Sequence, residues 1–395
     1  MLTRSGWGMI GLTIGMLGAG RILGVFELYI LGGAAAGLVL VAALYVGLVR
    51  LRLRVSRQVR PFRIHAGSPA RVDLELQNRG RRTPVLRIRD AVTGTAGADL
   101  TTGPLRRDEV ASAAYRIPTE RRGILGIGPL TVEVTDPFRL ASVQVRGAER
   151  TELTVLPRVV SIVPPPYTVG RDPHGAADSP NSLGRVGDDF YALRYYTVGD
   201  DLRRVHWPST ARVGELMVRQ HELPWQGRTT VLLDTRLGDA TDDEFETAVS
   251  VAASVIESCA RRHDLLRVVA TDGGDSGFAA GHAHADAVME YLATAHRSGH
   301  GTLHGALTNL RRSTEGGALI AVGAALGPSD VDAVLRLRSH YGVTYVLRAA
   351  SAAPQSGARI GGTDSNVLNV AHLAEFADDW NRITHRGANR ALARR

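Results

Sequence analysis

The sequence predicts a multidomain protein: a two-helix transmembrane hairpin, a small β-sandwich and a doubly wound α/β domain. Three patterns predict it. Residues 7–49 are apolar and nearly free of charge. Residues 54–157 hold short alternating runs broken by Gly, Pro, Asn and Asp. In residues 224–395, apolar strand-like runs alternate with amphipathic helical windows, the texture of a mostly parallel sheet covered on both faces. The 395 residues suit two to three domains at ~150 residues each. With 44% hydrophobic and 22% charged residues, the chain is neither wholly disordered nor collagen-like.

The hairpin is expected over residues 1–53. Residues 7–26 and 28–49 each supply about the ~20 residues that cross a bilayer. Glu27 marks the tip between them, and Arg21 is placed to snorkel to the interface. A signal peptide fits less well, because no clear A-x-A site precedes the second apolar run. Arg4 stands before the first run, and Arg50, Arg52, Arg54, Arg57, Arg60 and Arg63 follow the second. Positive flanks around an acidic tip predict a two-pass protein of the cell membrane with both termini cytoplasmic. The arginine cluster is read first as a topology signal and second as a site for anionic lipid headgroups.

A formal net charge of +8 suggests an anionic partner. Yet all 47 basic residues are Arg, which reads as coding bias. No aromatic–basic platform appears, so nucleic acid is not an expected partner. The single cysteine excludes a disulfide scaffold and a Cys-based zinc site. Cys259 falls on an apolar helix face and reads as core.

The β-sandwich is expected over residues 54–157. Runs at 70–76, 85–88, 113–117, 130–134 and 153–156 read as strands. Arg121-Arg122-Gly123 followed by Gly128-Pro129 reads as a turn between paired strands. Residues 158–188 read as a linker: Pro164-Pro165-Pro166 favours an extended path, and 172–185 should be mobile.

Residues 189–223 combine charge with aromatics. Phe190, Leu193 and Tyr196 fall at helical spacing, so 189–196 predicts a helical turn capped by Asp188. Asp200 and Asp201 can accept Arg203, Arg204 or Arg212. Trp207 offers a ring for burial or for arginine stacking. An Arg–Asp–Trp latch to the next domain is the leading reading, ahead of a partner-binding surface built on Arg194, Asp200, Asp201, Arg203, Trp207 and Arg212. An acid–base set of Asp200, Asp201 and His206, with Ser209 or Thr210 as nucleophile, lacks an orienting third group.

This stretch resembles the bacterial domain of unknown function family 58. Gly187, Phe190, Leu193, Arg194, Tyr196, Gly199, Asp200, Asp201, Arg203, Trp207, Thr210, Ala211 and Arg212 fit its signature. The resemblance implies a membrane hairpin, a β module, the signature and a von Willebrand factor A-like domain, in that order. It also implies a MoxR-type AAA+ ATPase as neighbour, and it brings no established catalytic activity.

In the α/β domain, 229–233, 265–271, 318–322 and 343–347 read as strands. Helices are expected at 243–262, 286–297, 303–310, 330–339 and 371–384. A von Willebrand factor A-like domain would hold a hard cation at the first strand's end, through D-x-S-x-S, a Thr and a later Asp. Here Asp234 and Thr302 match, but Arg236 and Gly238 replace the two serines, and Gly323-Ala324-Ala325 stands where the Asp is due. A guanidinium beside Asp234 opposes a divalent ion, so the site is expected to be metal-free. His282 and His284 read as an exposed loop rather than a metal pair. Asp272-Gly273-Gly274-Asp275 lacks calcium-loop spacing, and no phosphate loop is present.

The expected function is therefore a membrane-anchored, non-enzymatic adaptor without cofactors. Its partners would be the lipid bilayer and a protein, the MoxR-type ATPase being implied by resemblance. The alternative is a cell-envelope enzyme acting through Asp200, Asp201 and His206.

Overall fold

The computed structural model describes residues 2–49, 51–166, 190–196, 205–221, 227–313, 316–350 and 366–393. The chain forms two compact units, Met1–Arg158 with Met289–Ala295, and Val159–Val288 with His296–Arg395.

Two helices open the first unit: α1 (Arg4–Leu23) and α2 (Phe26–Leu48). Both are long and apolar enough to cross a membrane. Thr3 caps α1 by accepting Gly6 N–H at 3.1 Å. Gly24 ends α1 in the left-handed region, at φ 68°. The break thus falls at Gly24-Val25, and Glu27 sits in the first turn of α2 rather than at the tip. The helices pack closely where side chains vanish: a Cβ on Gly32 would lie 3.0 Å from the Leu17 side chain.

A β-sandwich follows. One sheet is antiparallel, β1 (Leu53–Arg60), β3 (Ala70–Asn78) and β6 (Val110–Ile117), in that order. The other runs β2 (Arg63–His65), β9 (Thr151–Leu156), β7 (Gly123–Thr135), β4 (Leu86–Val92), β5 (Ala98–Thr102), with β8 (Ser142–Ala148) also on β7. Alternation drives burial: Val72, Leu74 and Leu76 from β3 meet Leu86 and Ile88 from β4 and Ile127, Leu130 and Val132 from β7 in one core.

Two readings of this region are corrected. Gly128-Pro129 is no turn: β7 runs straight through it, pairing β9 before it and β8 after it. Gly128, at φ 99°, supplies the backbone freedom where the strand changes partner. Nor is Arg57 part of an exposed basic flank. It lies on β1, where its Nη1 donates to Asp90 Oδ1 at 2.9 Å, with side chains only 3% and 0% exposed. Tyr115 Oη donates to Asp90 Oδ2 at 2.7 Å, and Arg57 Nη2 donates to Thr151 Oγ1 at 2.8 Å and to the Glu149 carbonyl. Burial, then the bond to Asp90, pushes the Tyr115 phenol far above its ordinary range.

In the second unit, residues 159–166 run without regular structure. Val160 N–H donates to Ser254 Oγ at 3.0 Å, Trp380 Nε1 to the Val163 carbonyl at 2.7 Å and Arg262 Nη1 to the Pro165 carbonyl at 2.6 Å. These bonds fasten the stretch that includes Pro164 and Pro165 to the α/β domain. The stretch 172–185 lies outside the described residues. A hairpin of β10 (Phe190–Tyr195) and β11 (Met217–His221) flanks α3 (Trp207–Val213). The helical turn expected at 189–196 is therefore a strand: antiparallel pairing with β11 outweighs the helical spacing of three apolar residues.

The α/β sheet is parallel, in the order β13 (Leu265–Ala270), β12 (Arg228–Asp234), β14 (Ala318–Gly323), β15 (Val343–Ala349), β16 (Val367–Val370). Residues 275 and 279 bridge back antiparallel to β13. Helix α4 (Asp242–Arg261) starts with a capping box, Thr241 with Glu244. Its residues Phe245, Val249, Ala252, Val255, Ile256 and Cys259 are all buried. Burial pushes the Cys259 thiol up to about 12.

Helix α5 (His282–Thr294) begins at the expected H-x-H loop, so that pair sits on a helix. His284 Nε2 contacts the Leu266 carbonyl at 2.9 Å, and His282 packs edge-on against His263. Helices α6 (Leu303–Arg312) and α7 (Pro328–Leu335) cover one sheet face through Leu307, Leu310, Val331 and Val334. On α8 (Leu373–Ala393), Trp380 packs on Tyr345 with ring centroids 5.0 Å apart.

Candidate functional site

Three central strands end in register: Asp234 of β12 lies beside Gly323 of β14, which lies beside Arg348 of β15. In such a sheet the carboxyl edge is where ligands bind, above all between neighbouring strands whose connections diverge, here β12 and β14.

Arg236 fills that place. Its Nε donates to Asp234 Oδ1 and its Nη2 to Asp234 Oδ2, both at 2.8 Å, a fork-on-carboxylate pair. The same Nη2 reaches Asp330 Oδ2 at 2.8 Å. Asp330 is fixed in turn, because it accepts Gly327 N–H at 3.2 Å at the start of α7. Asp234 Oδ1 also accepts the Arg236 amide at 3.2 Å and Thr271 Oγ1 at 3.3 Å. The Thr271 hydroxyl further holds Thr235 N–H at 2.9 Å. The Asp234 side chain is 1% exposed and that of Arg236 25%. The bond to Asp234, then that to Asp330, holds the Arg236 guanidinium further toward its charged form than usual, against the opposing effect of burial.

A divalent cation does not fit these residues. Both oxygens of Asp234 already accept guanidinium hydrogens. A Cβ on Gly323 would lie 2.6 Å from the Asp234 Cβ, so no aspartate can stand there without displacing the first one. Thr302 caps α6, accepting Gly305 N–H at 3.1 Å, and does not bond Asp234.

Asp330 and Thr271 were not anticipated. Asp330 carried one signal, its place at the third position of a helix that opens Gly327-Pro328. Arg348 was also missed. Its Nε and Nη1 are buried and have no hydrogen-bond partner among the described residues. Such buried donors are costly to leave unmade.

The signature residues are distributed differently. Asp200, Asp201 and Arg203 lie outside the described residues, and Arg194 is described only by its backbone place on β10. Trp207 opens α3 and is 67% exposed, so its ring is not buried in a latch. Arg212 lies exposed in the last turn of α3. His206 Nδ1 contacts Ser209 Oγ at 2.8 Å, and Thr210 Oγ1 accepts Met217 N–H at 3.0 Å, tying α3 to β11.

Fold and site together define a class: a chain with two apolar N-terminal helices, a β-sandwich and an α/β unit whose strand tip carries a fixed guanidinium. Residues 192–344 match the family model described as Protein of unknown function DUF58. No curated protein matches. Among solved structures, the CARDB domain of a Pyrococcus furiosus protein in complex with di-metal ions is 15% identical, covering 27% of this chain and 93% of that chain at a TM-score of 0.22. A β-glucosidase from Listeria innocua in complex with isofagomine is 11% identical, covering 24% of this chain and 16% of that chain at 0.17. The alkylpurine DNA glycosylase AlkC of Pseudomonas fluorescens, bound to DNA containing an abasic site analog, is 13% identical, covering 26% and 32% at 0.17. Likenesses this slight carry no argument about fold or activity.

Proposed function

We propose that the protein is a two-pass membrane adaptor with both termini in the cytoplasm, whose von Willebrand factor A-like domain docks a protein partner at the carboxyl edge of its sheet. The observation that carries this reading is Arg236, clamped between Asp234 and Asp330 where the fold class places a cation. The parallel sheet with an antiparallel bridge at its β13 edge supports the von Willebrand factor A-like assignment. The site works without metal: its carboxylates are neutralised in place, and the edge offers a preformed surface instead of a reaction centre.

Arg348 gives that surface its chemistry. The spacing of two strands puts it ~10 Å from Asp234. Its unmatched donors select a partner that brings a carboxylate. The MoxR-type AAA+ ATPase is the partner to test first. Purified ATPase should bind the full chain in detergent, and Arg348→Gln should weaken binding about tenfold or more, since hydrogen bonds to a charged group are worth ~1.5–3 kcal/mol. Equal binding by the variant would overturn the carboxylate assignment, and no binding by either would remove this partner.

A second reading, a cell-envelope enzyme using Asp200, Asp201 and His206, rests on the contact between His206 and Ser209. It requires the C-terminus outside. A C-terminal reporter active only in the cytoplasm, with Ser209→Ala leaving function intact, would exclude it.

A further inference from the structure

The β-sandwich meets the helical hairpin through loop 136–141 and the start of β8, and the loop carries the inference. Within the first unit, Thr3 N–H donates to the Leu140 carbonyl at 2.9 Å and Thr3 Oγ1 to the Arg139 carbonyl at 2.5 Å. Leu140 and Ala141 are buried in a cluster with Val39, Ala42 and Val46 of α2. The approach is close enough that a Cβ on Gly6 would lie 2.1 Å from the Leu140 oxygen. The loop is also stiff. Asp136, 2% exposed, accepts Phe138 N–H at 2.8 Å and Ala141 N–H at 2.6 Å.

This stiff loop turns Phe138 outward, leaving it 61% exposed. Its height along the helices is fixed by the Leu140–Gly6 contact. Gly6 is the third residue of α1, about 3 Å from its start at 1.5 Å per residue. Trp7 is 64% exposed and follows Gly6; Tyr45 is 40% exposed and lies about 5 Å from the end of α2 by the same rise. Three exposed aromatics therefore gather within about one turn at the same end of the hairpin. Aromatic side chains collect at that depth, at the boundary between headgroups and acyl chains.

We propose that loop 136–141 is seated in the bilayer interface, with Phe138 inserted beside Trp7 and Tyr45, so that the β-sandwich is held on the membrane surface. The inference rests on the reading of α1 and α2 as membrane spans and adds a third point of lipid contact. The partner it names is a phospholipid bilayer, contacted by an aromatic side chain and by the neighbouring Arg139.

Site-directed spin labelling tests it on the full chain, reconstituted in vesicles of phosphatidylcholine and phosphatidylglycerol. Three variants carry the label: Ile14→Cys, Phe138→Cys and Ile124→Cys. Ile14 is 66% exposed on α1, and Ile124 is 48% exposed at the far end of β7, ~36 Å of strand from the loop. Cys259 is fully buried and stays unlabelled. The label at 138 should gain oxygen accessibility and lose accessibility to a water-soluble nickel chelate, as at 14 and unlike at 124. A label at 138 that behaves like that at 124, while the one at 14 lies in lipid, would overturn the inference and leave the spanning reading standing. All three labels in water would overturn both.

Discussion

Two arginine–aspartate pairs invite comparison. Arg57–Asp90 lies inside the β-sandwich, with side chains 3% and 0% exposed and further bonds from Tyr115 and to Thr151. Arg236–Asp234 lies at a strand tip, with the arginine 25% exposed and a second carboxylate on its other side. The chemistry is the same and the places differ. The first pair joins strands of both sheets and offers nothing to solvent. The second stands on the edge where an α/β sheet meets its ligands. An ion pair alone is no sign of function; its position relative to the sheet decides the reading. Arg348 completes the contrast, as a guanidinium on the same edge whose Nε and Nη1 meet no acceptor among the described residues.

The largest expected effect breaks the first pair. Arg57→Met leaves Asp90 buried and uncompensated and should cost ~3–5 kcal/mol in denaturant unfolding followed on the full chain. A loss under about 1 kcal/mol would mean that the pair is not buried as described. Next comes Gly323→Ala, whose added Cβ meets the Asp234 Cβ. It should cost ~1–3 kcal/mol by overpacking, seen as a lower thermal midpoint. A neutral result would show that the strand tip has room for a further ligand. Arg348→Met should have the opposite sign to Arg57→Met. Removing unmatched buried donors should leave stability unchanged or raise it by about 1 kcal/mol, while partner binding falls. A large destabilisation would place Arg348 with the structural pairs.

The smallest effect is a change with pH. Arg267 donates to Asp275 at 2.9 and 2.6 Å and holds its carboxyl below the usual carboxylate range, helped by Gly277 N–H and opposed by burial. A depressed folded pKa adds stability above the unfolded value near ~3.9, and that stability is lost as pH falls through the folded pKa. Asp275→Asn should therefore lower stability near neutrality, flatten its decline below about pH 4 and converge on the parent chain at low pH. An unaltered acid limb would remove this pair from the account.

Much of the architecture was legible, because burial follows period. The strands of the parallel sheet are continuous apolar runs, and α4 shows its buried face at helical spacing. What escaped required a partner distant in sequence. β1 reads LRVSRQVR within a basic stretch, and nothing local tells that Arg57 turns inward to Asp90. Phe190, Leu193 and Tyr196 mimic a helix until β11 supplies a strand to pair with. At the strand tip, Asp234, Arg236 and Gly323 were visible as departures from a ligand pattern. That Gly323 also bars a side chain, and that Asp330 grips Arg236 from α7, depends on packing across 94 residues of chain.

The central claim is that Arg236 occupies the cation's place and leaves a docking surface. Isothermal titration of the full chain with Mg²⁺ and Mn²⁺ tests it most directly. The account predicts no saturable heat in the micromolar range, for the chain as it stands and for Asp234→Asn alike. Micromolar binding that disappears in Asp234→Asn would contradict it.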